Sequence, residues 1–143
     1  MKLRTSQSRG ARAFLSASAL IFSLSLLAGP ETIKLQGHVT ASPGHGTNLV
    51  FRTISGASYN LKRSPASEAL FVDTNLWPKL LLLSGKVEDK SFEVVGNLRS
   101  IKDGQVRELF YYCDVCSIST SVPGLCACCR EPTVLTEKPE HAQ

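Results

Sequence analysis

The sequence predicts a mainly β protein: a small antiparallel barrel of five or six strands, with one short helix and a cysteine-rich C-terminal extension. Three observations predict it: runs in which apolar and polar residues alternate, tight-turn sequences between those runs, and five cysteines in one short segment. The chain has 143 residues, which allows one small domain.

The first half of the chain predicts three strands. Residues 32–40 alternate with the period of a half-buried strand, and a loop containing Pro43 and two glycines follows. A second strand over 49–54 turns at Ser55-Gly56 into a third over 58–62. We expect these two strands to form a hairpin.

The second half predicts a short helix and three more strands. Ser64-Pro65 provides a helix cap and a proline for the first turn, so residues 66–70 predict one or two helical turns. The strands are expected over 81–88, 91–101 and 105–112. Asp89-Lys90 and Asp103-Gly104 lie between them, and Asp-Gly between two β-rich runs strongly indicates a hairpin.

Small sheets of this kind avoid exposed edges by closing into a barrel. The layout resembles an OB-type barrel, in which a helix separates the third and fourth strands. Gly37 and the Leu-Ser-Gly-Lys-Val stretch at 83–87 contribute to that resemblance. We expect the antiparallel barrel domain over 30–112, a cysteine-rich metal-binding knuckle over 113–130 and a flexible tail over 131–143.

The N-terminus has the order of a secretory signal peptide, which we place at 1–29. Four basic residues and no acidic residue precede the uncharged run 13–28. Leu26, Leu27 and Pro30 make the cleavage region imperfect, so an uncleaved N-terminal membrane anchor is the alternative. Either way, the domain is expected to be extracytoplasmic, in the periplasm or secreted.

The net charge of +4 comes from this N-terminal segment. From Glu31 onward, twelve lysines and arginines balance twelve acidic residues. A neutral domain lacks the excess cationic side chains that displace counterions from a phosphate backbone, so we expect no nucleic-acid partner. The expected partner is an unidentified protein or small molecule.

The cysteines form the strongest functional pattern. Cys113 and Cys116 make one pair, Cys126 and Cys129 another, and each pair is separated by two residues. Such a pair directs two thiolates toward one centre, and two pairs complete the tetrahedron that Zn²⁺ accepts. The predicted cofactor is therefore Zn²⁺. Cys128 is an additional thiol, either an alternate ligand or a reactive group.

This segment resembles the zinc ribbon and zinc knuckle families, with Cys113 and Cys116 matching the first knuckle and Cys126 and Cys129 the second. It departs from their pattern by lacking a glycine after each pair and by carrying Cys128. The whole C-terminal half also resembles a group of uncharacterised small exported bacterial proteins in which an aromatic run, here residues 110–112, enters such a cluster. That likeness implies no activity.

Three alternatives to zinc remain open for these cysteines. An oxidising compartment favours disulfides, although five cysteines cannot all pair within one monomer. Cys113 and Cys116 could instead exchange thiols as a redox pair, with Cys128 as a candidate reactive sulfur. A soft metal such as copper is the third alternative, because thiolates bind it well.

The remaining polar and aromatic residues favour binding over catalysis. His38 and His45 could add metal ligands but lack an acid or thiol nearby, so we expect His38 to be a solvent-facing strand residue and His45 to be a loop residue. Trp77, Phe71 and Leu76 are expected to plug the core. No nucleophile, base and orienting acid are combined in the sequence, and a catalytic residue is not predicted.

Overall fold

A computed structural model of the chain describes residues 31–42 and 48–140. The predicted signal peptide and His45 lie outside the described residues. The strands and the α-helix are β1 (Ile33–Ala41), β2 (Leu49–Thr53), β3 (Ser58–Lys62), α1 (Glu68–Val72), β4 (Leu81–Glu88), β5 (Ser91–Val94), β6 (Arg99–Lys102), β7 (Gln105–Cys113), β8 (Ile118–Thr120) and β9 (Val134–Pro139). A 3₁₀ turn covers Thr74–Leu76.

The first five strands close into the predicted small barrel. Their order is β1-β2-β3-β5-β4, and β4 pairs back to β1, which completes the circle. The helix α1 lies between β3 and β4 in the chain, as the OB-type layout predicts. One pairing departs from the antiparallel expectation, because β3 and β5 run parallel. Within the described residues, no helix has the length and apolar character needed to cross a bilayer.

The strand predicted over 91–101 is interrupted, and its two parts have different neighbours. Both β5 and β6 pair with β4, in the registers Gly85↔Val94 and Leu81↔Ser100. Between them the register moves by two residues, so the segment 95–98 bulges away from β4. After the bulge, β6 continues into a hairpin with β7 and leads the chain out of the barrel.

The barrel is filled by one apolar core. Phe51 and Phe92 are fully buried and stack with ring centroids 5.9 Å apart. Leu76 is also fully buried, while Phe71 and Trp77 pack against the core from its end. The indole Nε1 of Trp77 donates a 2.8 Å hydrogen bond to a backbone carbonyl of α1, which satisfies its polar atom. The prediction of a core plug is confirmed.

Two glycines permit strands to cross closely in the barrel. A Cβ atom at Gly37 would lie 2.0 Å from the carbonyl oxygen of Arg52, and one at Gly85 would lie 2.2 Å from that of Glu93. Both obstacles are backbone atoms, which cannot rotate away as a side chain can. The barrel therefore requires glycine at these two positions.

The strands after the barrel form a smaller antiparallel sheet, called the ribbon here and consisting of β7, β8 and β9. β7 is central: β8 pairs with its C-terminal end and β9 with most of its length. The flexible tail predicted over 131–143 is therefore wrong for 134–139, and residues 141–143 lie outside the described part. Leu135 packs against the core, and Glu137 forms an ion pair with Lys79, which holds this last strand in place.

The ribbon is joined to the barrel by polar contacts as well. The hydroxyl of Tyr111, in β7, donates a 2.7 Å hydrogen bond to the carboxylate of Asp73, which follows α1. Arg99, in β6, bonds both Ser84 of the barrel and Glu140 beyond β9. These contacts fix the orientation of β7, whose last residue is Cys113.

Candidate metal centre

Four cysteine sulfurs meet at the far end of the ribbon. The Sγ atoms of Cys113, Cys116, Cys126 and Cys129 all lie within 4.8 Å of one another. Cys113 and Cys126 are buried, and the other two are half-buried. The sequence placed the same four residues in two pairs, and the fold brings those pairs together.

The first pair is set by the turn between β7 and β8. Cys113 ends β7 and pairs with Ile118, so residues 114–117 form the turn. Within that turn, the backbone N–H groups of Cys116 and Val115 hydrogen-bond to the sulfur of Cys113. Backbone donors directed at a sulfur stabilise its thiolate form, which is the form that binds a metal.

The second pair repeats this arrangement between β8 and β9. The N–H of Cys126 donates to the carbonyl of Glu131 at 2.7 Å, again closing a turn across five residues. The backbone N–H groups of Cys129 and Cys128 hydrogen-bond to the sulfur of Cys126. In each pair, the first cysteine therefore accepts N–H groups from the residues two and three positions later.

Both turns use a left-handed residue where zinc knuckles usually have glycine. Ser117 follows the first pair with a φ of 55°, and Arg130 follows the second with a φ of 65°. An L-residue in this conformation costs about 1–2 kcal/mol. Each turn thus has a left-handed residue directly after its second cysteine although that residue is not glycine, and the four-cysteine cluster is compatible with a zinc-knuckle-like arrangement.

The second turn is held beside the first by its own hairpin and by the strand β9 that follows it. Leu125 and Pro132 form an isolated bridge next to the second pair. Thr133 donates to the carbonyl of Gly124 from its backbone N–H at 2.9 Å and from its hydroxyl at 3.0 Å. Because β9 begins at Val134 and pairs with β7, this hairpin places the second pair of cysteines beside the first.

The pKa values of the thiols diverge within the cluster. Hydrogen bonds from the backbone N–H groups of Cys129 and Cys128 lower the pKa of Cys126 to about 7. The sulfur of Cys128, followed by that of Cys129, raises the pKa of Cys116. The N–H of Cys116 acts to lower the pKa of Cys113, but burial and the neighbouring sulfurs outweigh it and raise that pKa. Cys126 is consequently the most acidic of these three thiols.

The spacing of the sulfurs suits one tetrahedral metal ion. Four sulfurs placed about 2.3 Å from a central ion are roughly 3.8 Å apart. The sulfurs of Cys113 and Cys129 are 3.4 Å apart, and the others fall within the 4.8 Å limit. A disulfide requires about 2.0 Å, and all five cysteines are free thiols. The four close cysteines could therefore hold a metal ion.

The other predicted candidates lie apart from this group. Cys128 is exposed, although its sulfur neighbours that of Cys116. His38 is exposed on β1. Among the residues that the structure describes, the four cysteines form the one group of three or more potential ligands.

Sequence reasoning missed the backbone donors and the role of β9. The segment of β9 has no alternation of apolar and polar residues, because Val134 and Leu135 are adjacent and polar residues follow them, so the sequence carries no local signal for this strand.

Comparisons of this chain with protein-family models, curated proteins and solved structures found no match. Its function is accordingly inferred from geometry and chemistry alone.

Proposed function

We propose that this chain is an exported zinc-binding protein in which one structural Zn²⁺ stabilises the ribbon, and the barrel and ribbon together act as a binding module. The observation that carries the proposal is the convergence of four cysteine sulfurs within 4.8 Å. The ligands would be Cys113, Cys116, Cys126 and Cys129. The ion would cross-link the two turns.

The donor set favours zinc over other metals. Calcium and magnesium bind oxygen, whereas four thiolates in a tetrahedral arrangement are typical of zinc or of iron–sulfur centres. Four protein ligands also complete the coordination of Zn²⁺, which is the property of structural rather than catalytic sites. The backbone N–H groups that bond to Cys113 and Cys126 satisfy the second shell that such ligands need.

The ribbon turns have a physical need for such an ion. Val115, Leu125 and Val134 are 65–69% exposed, so the larger apolar side chains around the cluster bury little surface. Cys113 and Cys126 are the buried residues there. Zinc binding contributes about 10–16 kcal/mol in comparable small peptides, far more than these contacts can supply.

Export of the chain completes the proposal. The basic, apolar and small-residue order of residues 1–29 supports export. A cell-fractionation experiment followed by mass spectrometry of the mature N-terminus tests it. The expected result is extracytoplasmic protein beginning near Ala28–Glu31; cytoplasmic protein that retains Met1 would contradict export.

Metal analysis tests the site. Protein recovered from its native compartment should contain one zinc per chain and no oxidised cysteine among the four ligands. Chelation should unfold the ribbon turns while the barrel signals in an NMR spectrum persist. Iron or copper in place of zinc would overturn the choice of metal, and disulfides among these cysteines would overturn the site itself.

A second candidate is a thiol redox protein or a carrier of a soft metal such as copper. The exposed thiol of Cys128 beside the sulfur of Cys116 favours it. The Cys128→Ser variant separates the two functions, because a structural site should keep its metal with unchanged affinity. Loss of rapid alkylation at neutral pH, or of metal transfer to a competing chelator, would instead support the second candidate.

A further inference from the structure

A cleft of about 640 Å³ lies between the barrel and the ribbon, away from the cysteine cluster. The barrel side is formed by the connection before α1 and by the bulge between β5 and β6. The ribbon side is formed by β7, the end of β8 and one residue of β9. Small-ligand sites measure roughly 300–1,000 Å³ and often occur where two substructures meet.

The cleft contains opposite charges that are not paired with each other. Glu108 and Lys138 are direct partners in the register of β7 and β9, a position from which opposite charges commonly interact. Glu108 instead accepts a 2.7 Å hydrogen bond from the side-chain amide of Asn97, in the bulge. Among the described residues, no carboxylate lies within 4 Å of the Lys138 ammonium.

An aromatic surface in the cleft contacts the lysine. The rings of Phe110 and Tyr112 meet edge to face with centroids 6.4 Å apart. The Lys138 ammonium lies 5.4 Å from the Phe110 centroid and 5.9 Å from the Tyr112 centroid, within the range of a cation–π interaction. The positive charge is therefore positioned without being neutralised by a carboxylate.

One wall of the cleft is apolar. Leu98 of the bulge and Leu109 of β7 are buried and belong to the hydrophobic core, and Pro65 and Ala66 complete this wall. The N–H of Leu109 donates a 2.9 Å hydrogen bond to the carbonyl of Leu98, which joins the bulge to β7 at the floor of the cleft. A ligand would thus meet one apolar wall, one aromatic surface and two separated opposite charges.

We propose that this cleft binds a short apolar peptide with both termini free. Its carboxylate would contact Lys138, its ammonium group would contact Glu108, and its apolar side chains would pack against Phe110 and the Leu98–Leu109 wall. A charged hydrogen bond to each terminus matches the two charges of the cleft in sign. The inference rests on the binding role in the proposed function and assigns it a ligand class.

Calorimetric titration of the metal-replete protein tests the proposal. The probes are the dipeptide Leu-Phe, its N-acetylated form and its C-terminal amide. The free dipeptide should bind, and each blocked form should bind about tenfold more weakly, because one charged hydrogen bond is lost. Undetectable binding of the free dipeptide at millimolar concentration would overturn the proposal, as would equal binding of all three peptides.

Matched variants assign each terminus to its residue. In Lys138→Met, the free dipeptide and its C-terminal amide should bind equally well. In Glu108→Gln, the free dipeptide and its N-acetylated form should bind equally well. Lys102→Met and Glu93→Gln alter exposed residues outside the cleft and should change neither preference. Preferences that survive in Lys138→Met and Glu108→Gln would place the ligand elsewhere and overturn the assignment.

Metal content is measured in every sample, so the two proposals can fail separately. Zinc-containing protein that does not bind the dipeptide would overturn the cleft proposal alone. Protein that binds the dipeptide but contains no zinc would overturn the metal site alone.

Discussion

The barrel and the ribbon are held together by different forces. Of the fourteen buried residues in the core cluster, all but Leu109 and Tyr111 precede β6, whereas the ribbon turns bury chiefly two cysteines. An apolar core is cooperative and responds to volume, while a sulfur cluster depends on a few atoms and on an ion. The two regions should therefore respond differently to the same kind of substitution.

The largest expected effect is the loss of one buried sulfur. In Cys126→Ser the proposed zinc site loses a buried ligand whose pKa is lowered to about 7, so the bound metal should fall from about one per chain to below about a tenth. The ribbon turns should lose their NMR dispersion while barrel signals remain. Cys128→Ser is the matched control and should retain metal. A fully folded ribbon in Cys126→Ser without metal would show that the cluster is not its main support.

A substitution in the apolar core should instead lower the stability of the barrel. Phe51→Ala removes a fully buried ring that stacks on Phe92, and its expected cost in the free energy of unfolding is about 3–5 kcal/mol. Ile54→Ala, at a side chain that is 68% exposed, should change it by less than about 0.5 kcal/mol. Denaturant unfolding followed by Trp77 fluorescence checks both. Equal costs would mean that the aromatic stack does not support the barrel.

The same contrast explains what could be predicted from the sequence. Period-two alternation located the barrel strands, because burial on one face of a strand leaves a direct trace in the residue pattern. The Asp-Gly turn located the hairpin of β6 and β7 that leaves the barrel. The spacing of the cysteines identified the cluster because metal geometry fixes which thiols can meet. Both signals are local.

The missed features depend on contacts between distant parts of the chain. β9 was assigned to a flexible tail because its ion pair with Lys79 and its pairing with β7 cannot be inferred from residues 131–143 alone. The interruption of the strand predicted over 91–101 follows from the change of partner after β5. The left-handed turns at Ser117 and Arg130 run against residue preference, since the rest of each turn overrides it.

The junction between the two regions should have an intermediate effect. Tyr111→Phe removes the hydrogen bond to Asp73, for which we expect a loss of about 1–2 kcal/mol in the free energy of unfolding. Tyr112→Phe is the control, because Tyr112 lies on the opposite face of β7 from Tyr111. Thermal unfolding measures the difference. If the two variants were equally stable, the Tyr111–Asp73 bond would contribute nothing to the docking of the ribbon.

The junction should also make stability depend on pH. Partial burial alone would raise the pKa of Asp73, but hydrogen bonds from Tyr111 and Asn75 outweigh it and lower that pKa. The contribution of Asp73 is therefore complete above pH ~4, the ordinary range for an unfolded aspartate, and is lost as the pH falls through the lowered value. Asp73→Asn should flatten the fall in unfolding free energy below pH 4. An unchanged acid slope would contradict this assignment.

The smallest expected effect concerns the backbone of the cysteine turns. Ser117→Gly relieves a left-handed conformation worth about 1–2 kcal/mol but increases the entropy of the unfolded chain by about 0.5–1 kcal/mol. The net gain should therefore be under about 1.5 kcal/mol, seen as a modest rise in the chelator concentration that removes half of the metal. Ser119→Gly lies in the extended strand β8, so it increases the entropy of the unfolded chain without relieving a left-handed conformation. It should therefore lower that chelator concentration. A fall in both variants would mean that the Ser117 side chain supports the turn through contacts worth more than its strain, and the resemblance to a glycine knuckle would then be one of backbone shape alone.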